Sequence, residues 1–195
     1  MRNLLLLLFI TLLVGCEKPK PPTPFQAIDV SWRYAVEPVD FHLTDPNGKI
    51  RRLSDFKGKV VVLFFGYTHC PEICPTTLAD LAQVMRLLDK DAEKVQVLFV
   101  TLDPERDTPK LLAEYVPSFH PSFLGLYGDT KTTAQVAKTF GVHYDKRVEK
   151  DSYTLDHSDG TYLIGTRGQP VLLSPYNQRA ELLVQDIRLL LQMAH

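Results

Sequence analysis

"VVVLFFGYTHCPEICPTTLADLAQVMRLLDK", Val60 to Lys90, decides the fold. Its first six residues are β-branched, aromatic or leucine with no polar alternation, the pattern of a strand buried on both faces and so at the centre of a sheet. Its second half sets Leu78, Leu81, Ala82, Met85 and Leu88 at helical spacing with charges between and after them, an amphipathic helix. The two are joined by a loop with two cysteines, each followed directly by proline.

Working outward, "VQVLFVTL" (Val95 to Leu102) repeats the buried-strand pattern, and "TPKLLAEYV" follows as a helix with Thr108 as cap and Pro109 in its first turn. This β-α-β order makes the two strands parallel and near neighbours through a right-handed crossover. "FLGLYG" is a short third strand, and "DTKTTAQVAKTFGV" is a helix stopped by Gly141. Beyond a polar stretch come a hairpin from "TYLIG" to "PVLLS" and a last helix over Ala180 to Met193. Upstream, "FHLTDPNGKIRRLSDFKGK" has a Pro-Asn-Gly turn between alternating apolar residues, a hairpin. The order predicts an α/β, thioredoxin-like domain over 41–195 with an N-terminal β-hairpin extension.

At 195 residues and 45% hydrophobic, the chain suits one well-buried domain. A formal net charge of -1 with dispersed Lys and Arg offers no basic patch and excludes nucleic acid as an expected partner. At the N-terminus, Arg2 precedes "LLLLLFITLLVG", too short to span a bilayer comfortably and ending in small residues, as export signals do. Residues 1–15 are therefore expected to be a removed signal peptide. "LVGC" matches the bacterial lipobox, which implies acyl chains on Cys16. Residues 16–40 then form a lipidated N-terminus and a linker, stiffened by "PKPPTP" (Pro19 to Pro24) in an extended polyproline conformation. The domain is expected outside the cytoplasm, facing the periplasm in a cell with two membranes, and tethered by lipid.

With Cys16 assigned to lipid, Cys70 and Cys74 are the remaining thiols of three cysteines, in a compartment that favours oxidation. Proline disfavours the α region for the residue before it, so both are expected to be extended, with the helix starting at Pro75. That puts Cys74 at the N-cap, where the positive helix end lowers a thiol pKa. The loop lies at the carboxyl edge of the sheet, where open α/β folds place ligands. "PEI" between the cysteines is one residue longer than in thioredoxins and suits a shared metal at least as well as a tight redox disulfide; a buried structural pair is the plainer alternative.

Two thiolates rarely complete a metal site. Of six histidines, His42, His120, His143 and His195 carry no context beyond surface or packing, and His69 should face away from its neighbour Cys70. His157 differs: "YTLDHSDGTYLIG" sets it in a polar loop before a strand. In a thioredoxin-like fold that loop adjoins the cysteine loop and normally holds a cis-proline, which is absent here. Asp156 and Ser158 flank the ring and are candidates to orient it. The expectation is a centre of two cysteines and one histidine.

At these residues the chain closely resembles the Sco/SenC family of copper proteins that serve cytochrome c oxidase assembly. The resemblance covers 41 to the C-terminus and rests on "GYTHCPEICPTTL", "VTLDPERDTP" and "YTLDHSDGTYLI" in this order. It implies copper ligands at Cys70, Cys74 and His157, with copper held as Cu(I), Cu(II) or both, and an acidic segment at Asp103 to Asp107 that tunes the metal or docks a basic partner. The plainer reading of Asp103 and Asp107 is helix capping and an Arg106 surface pair. The implied role is delivery of copper to the subunit bearing the copper A centre of the oxidase, reduction of that centre's cysteines, or both, with the copper donor unspecified.

Three other readings compete. An extracytoplasmic thiol-disulfide reductase would use Cys70 or Cys74 as catalytic thiolate without a metal, but leaves His157 unexplained. A peroxiredoxin would need the threonine and arginine that Thr68 and Arg106 match only superficially. A zinc protein shares the Cys2His ligand set. The copper metallochaperone accounts for the most residues.

Overall fold

The computed structural model describes residues 24–36 and 39–193. The expected signal peptide, the expected lipidation at Cys16, residues 17–23 of the linker and His195 lie outside the described residues.

Strand β1 (Ile28–Asp29) is followed by a 3-10 turn, and then by the expected hairpin of β2 (His42–Thr44) and β3 (Ile50–Arg52). At its tip Gly48 takes a φ of 80°, and Asp45 is bound by the N–H groups of Asn47 and Lys49 and by Arg51. Strand β4 (Val60–Gly66) is buried at every position, as its unbroken apolar run requires. Helix α1 (Ile73–Leu88), β5 (Val95–Thr101) and α2 (Pro109–Phe119) follow, with Thr108 accepting the Leu111 N–H as N-cap. Next come β6 (Leu124–Leu126) and α3 (Thr130–Phe140), capped by Asp129 and ended by left-handed Gly141 at φ 68°. Then follow β7 (Tyr144–Val148), β8 (Tyr153–His157), β9 (Thr161–Ile164), β10 (Pro170–Ser174) and α4 (Ala180–Gln192).

Among the described residues one six-stranded sheet runs β1-β10-β9-β4-β5-β6. Strand β4 pairs parallel with β5, as the crossover rule requires, and antiparallel with β9. This is the thioredoxin-like arrangement, with α1 packed against α4.

Three expectations are corrected. The linker was expected to run to residue 40, yet Ala27 and Tyr34 are core residues, β1 extends the sheet, and the buried Asp186 carboxylate accepts the N–H groups of Gln26 and Ala27 at 2.8 Å each. The polar stretch after α3 is a second two-stranded sheet, β7 paired with β8. It reads as polar because Leu155 is its one fully buried side chain. Lastly, α1 starts at Ile73 and not after Cys74, with Glu72 as N-cap. Pro75 is the third helical residue, where its missing N–H belongs to the first turn and has no intrahelical partner in any case; that tolerance outweighs the bias against helix before proline.

Candidate metal centre

Strand β4 delivers the chain to the carboxyl edge of the sheet at Gly66. Tyr67 to Pro71 form a tight loop, with the Cys70 N–H donating to the Tyr67 carbonyl at 3.3 Å, and α1 begins two residues beyond it. Cys74 therefore lies inside the first helical turn and is fully buried, while Cys70 is partly exposed. Both are free cysteines, not joined in a disulfide.

Gly66 makes room for the buried sulfur. A Cβ built on Gly66 would lie 2.8 Å from Cys74 Sγ and 3.0 Å from Phe99 Cε2. The loop is stapled from below by Asp107, whose carboxylate accepts the Thr68 N–H at 3.0 Å, the Thr68 hydroxyl at 2.6 Å and the Thr101 hydroxyl at 2.6 Å. His69 turns toward this carboxylate, its Nδ1 3.6 Å from Asp107 Oδ1, and is not one of the residues whose donor atoms converge with the sulfurs.

His157 arrives from β8 as its last residue, not from a loop. Its ring meets Tyr67 edge-on at 5.9 Å between centroids, and its Nε2 lies 3.6 Å from Cys74 Sγ. The donor atoms of Cys70, Cys74 and His157 lie within 4.8 Å of one another. The ring is oriented at Nδ1, 2.8 Å from the Ser158 carbonyl oxygen. A carbonyl only accepts, so Nδ1 carries a proton, and in the neutral ring it is Nε2 that presents its lone pair to the sulfurs. Asp156 does not perform this task. Successive strand residues point to opposite sides, and Asp156 is turned to solvent in an ion pair with Arg147.

The electrostatics overturn one expectation: the thiolate is Cys70, not Cys74. The Cys74 thiol donating to its sulfur is the largest influence; against the opposing effect of burial, His157 and the N–H groups of Cys74 and Glu72 also contribute, and Cys70 is lowered to about 3. The positive end of α1 thus acts on the sulfur in front of the helix, with the Cys74 N–H 3.4 Å from Cys70 Sγ. Cys74 is pushed far up, first by the Cys70 thiolate beside it and then by burial. Burial pulls His157 down, but the Cys70 thiolate and the Ser158 carbonyl outweigh it and raise its pKa.

The two aspartates of the "DPERD" segment are internal, while Glu105 is exposed and pairs with Lys146. Asp103 is 1% exposed; it accepts Arg106 Nε at 2.5 Å and the Tyr153 hydroxyl at 2.7 Å. Asp107 is also 1% exposed. Neither carboxylate reaches the surface to dock a basic partner, because the turn that carries them folds under the cysteine loop and β8. Gly66, Tyr67, Thr68 and Thr101 were not singled out as site residues; the glycine ending a buried strand just before a cysteine loop was the available signal.

The donor set is chemically coherent for a thiophilic ion. With bond lengths like those of zinc to sulfur and nitrogen, a trigonal ion would hold sulfur and nitrogen about 3.8 Å apart, near the 3.6 Å between Cys74 Sγ and His157 Nε2. A cleft between Cys70, Glu72 and Ile73 on one side and Thr154, Asp156 and His157 on the other opens the site to solvent. Fold and site together define a thioredoxin-like protein with two thiols and one imidazole converging at the carboxyl edge of its sheet.

The SCO1/SenC family model matches residues 34–192, and the chain belongs to that family. It is 44% identical over 150 residues to the mitochondrial protein SCO2 homolog of Bos taurus, covering 75% of this chain and 55% of that protein. The chain thus spans about half the length of the curated relatives it matches. Among solved structures, Bradyrhizobium japonicum ScoI with copper bound is 40% identical, covering 77% of this chain and 97% of that one, with a TM-score of 0.72. The apo Sco1 protein of Thermus thermophilus is 39% identical, covering 88% and 99%, with a TM-score of 0.75.

Proposed function

We propose that this chain carries copper as cargo in a site made by Cys70, Cys74 and His157, and serves cytochrome c oxidase assembly by handing copper to the subunit that bears the copper A centre. One observation carries the reading: two sulfurs and an imidazole Nε2 within 4.8 Å, with the ring proton held on Nδ1. Thiolates suit Cu(I), and the imidazole extends the set toward Cu(II). Three ligands leave a coordination position open, and the cleft beside β8 gives a receiving site access for ligand exchange. Copper-bound relatives of the same fold support the choice of metal. A lipidated Cys16, following a signal peptide of residues 1–15, would tether the domain outside the cytoplasm. Among the described residues no helix is long and apolar enough to cross a membrane.

Purified, reduced full chain in detergent, titrated with Cu(I), Cu(II) and Zn(II), tests the site. His157→Ala is expected to lower Cu(II) affinity at least about tenfold and to change the visible spectrum. Unchanged copper binding in that variant would refute the three-ligand site.

A second reading is favoured by the Cys70 thiolate beside a buried Cys74 thiol, the arrangement of an attacking and a resolving cysteine. Cys70 would attack a partner disulfide, and Cys74 would then lose its proton and displace the second partner thiol. Two electrons pass to the partner, and a Cys70–Cys74 disulfide remains. Turnover of a disulfide peptide by metal-free protein, undiminished in His157→Ala, would favour this reductase over the carrier.

A further inference from the structure

The strand that supplies His157 is not part of the main sheet. Among the described residues, strands β7 and β8 pair only with each other, so the imidazole stands on a hairpin that other contacts must hold over the cysteines. Close to the ring, the Leu155 side chain is buried and its N–H donates to the Tyr67 hydroxyl at 3.2 Å. At the start of β8 the holding group is Arg106. Its guanidinium carbon stands 3.5 Å from the Tyr153 ring centroid, and its Nη1 donates to the Tyr153 carbonyl at 2.8 Å. The same guanidinium is anchored through Nε on Asp103, which also accepts the Tyr153 hydroxyl. Asp103 is in turn fixed to the end of β5, its N–H donating to the Thr101 hydroxyl at 2.9 Å. A planar, delocalised cation is suited to this position, because it stacks and donates in a fixed fork at once.

We infer that Asp103, Arg106 and Tyr153 form a clamp that positions the His157 hairpin over the cysteine pair, and thereby sets how strongly the site holds Cu(II) relative to Cu(I). None of the three is a ligand; each acts through the hairpin. Cu(I) is satisfied by the soft thiolates, which sit on the cysteine loop and α1 and not on the hairpin that the clamp holds. Cu(II) depends more on the imidazole, and therefore on the placement of β8. The inference rests on the copper-carrier reading for its metal preference, but not for the clamp itself.

The test uses the reduced full chain and three variants. Arg106→Lys keeps the charge and loses the planar fork, Tyr153→Leu removes the stacked ring, and Tyr153→Phe keeps the ring and loses the hydroxyl. Cu(I) and Cu(II) affinities are measured by competition, with the Cu(II) absorption and paramagnetic resonance spectra. Amide hydrogen exchange of 144–157 is followed in the metal-free protein. Arg106→Lys and Tyr153→Leu are expected to lose about tenfold or more in Cu(II) affinity, to alter the Cu(II) spectra, and to leave Cu(I) within about threefold. Tyr153→Phe should recover most of the loss. Hairpin amides should exchange at least about tenfold faster in the first two variants while the core strands stay protected. Equal loss of both ions, or unchanged Cu(II) binding, would overturn the metal preference. Unchanged hairpin exchange would overturn the clamp. If wild-type protein bound neither ion, the carrier reading would fail and the metal preference with it, while hydrogen exchange would still decide the clamp.

Discussion

Replacing Gly66 with alanine isolates the geometric demand of the site. Gly66 ends β4, pairs with Thr101 of β5, and accepts the Leu102 N–H at 2.8 Å, so its backbone is pinned on the β5 side. An added Cβ would lie 2.8 Å from Cys74 Sγ, 3.0 Å from Phe99 Cε2 and 3.1 Å from Phe64 Cε1. Both rings and the sulfur are fully buried, so none of them can move into solvent. Ordinary contact begins at 3.4 Å, and the sulfur must give by about 0.6 Å. That exceeds the roughly 0.5 Å within which a functional constellation tolerates displacement. Overpacking of this kind costs about 1–3 kcal/mol, or a fall in Tm of about 2–12 °C for a domain of this size. Metal affinity should fall by about 10–100-fold, as when a supporting group of a metal site is lost. The assay is thermal unfolding of the metal-free protein beside competitive Cu(I) titration. Gly165→Ala serves as control, since its Cβ would meet Val171 at an ordinary 3.4 Å. Gly66→Ala with the Tm and Cu(I) affinity of that control would refute the reasoning.

Thiol chemistry supplies a second prediction. Iodoacetamide at pH 5 should modify Cys70 and spare Cys74 in the reduced protein, because Cys70 is already a thiolate above about pH 3 whereas Cys74 is buried and protonated. Mass spectrometry finding both labelled equally, or a Cys70 rate rising tenfold per pH unit, would contradict the assignment. The pH dependence of Cu(II) affinity is the third. Binding displaces the Cys74 proton, so affinity should fall about tenfold for each unit by which the pH is lowered. Once His157 protonates, Nε2 is blocked and the slope should double. Its raised pKa puts that break above the ordinary imidazole value of 6.5, and His157→Ala should abolish it. A wild-type break at or below that value would refute the direction of the shift.

Much of the architecture was legible because its signals are local. The unbroken run Val60 to Phe65 can bury both faces only at the centre of a sheet, and Thr108 and Gly141 mark helix ends by chemistry that depends on immediate neighbours. The β7–β8 hairpin was not legible, because Lys146, Arg147 and Asp156 face water and Leu155 alone is fully buried, too little periodicity to read as strands. Arg106 and Asp103 read as a surface pair for the same reason: three residues apart in sequence, they give no sign that Tyr153 lies across them.

At the metal centre the division follows from range. The sequence by itself determined the chemical inventory, two cysteines on the loop after the central strand and a histidine where a thioredoxin-like chain has proline. It could not determine which sulfur is charged. That depends on Cys74 being inside the helix, buried against Gly66, with its N–H and thiol both directed at Cys70. Nor could it determine which ring nitrogen of His157 is free, since that follows from where the Ser158 carbonyl points. Charge and tautomer are set by atoms brought within a few ångströms by folding, and only the tertiary structure decides those distances.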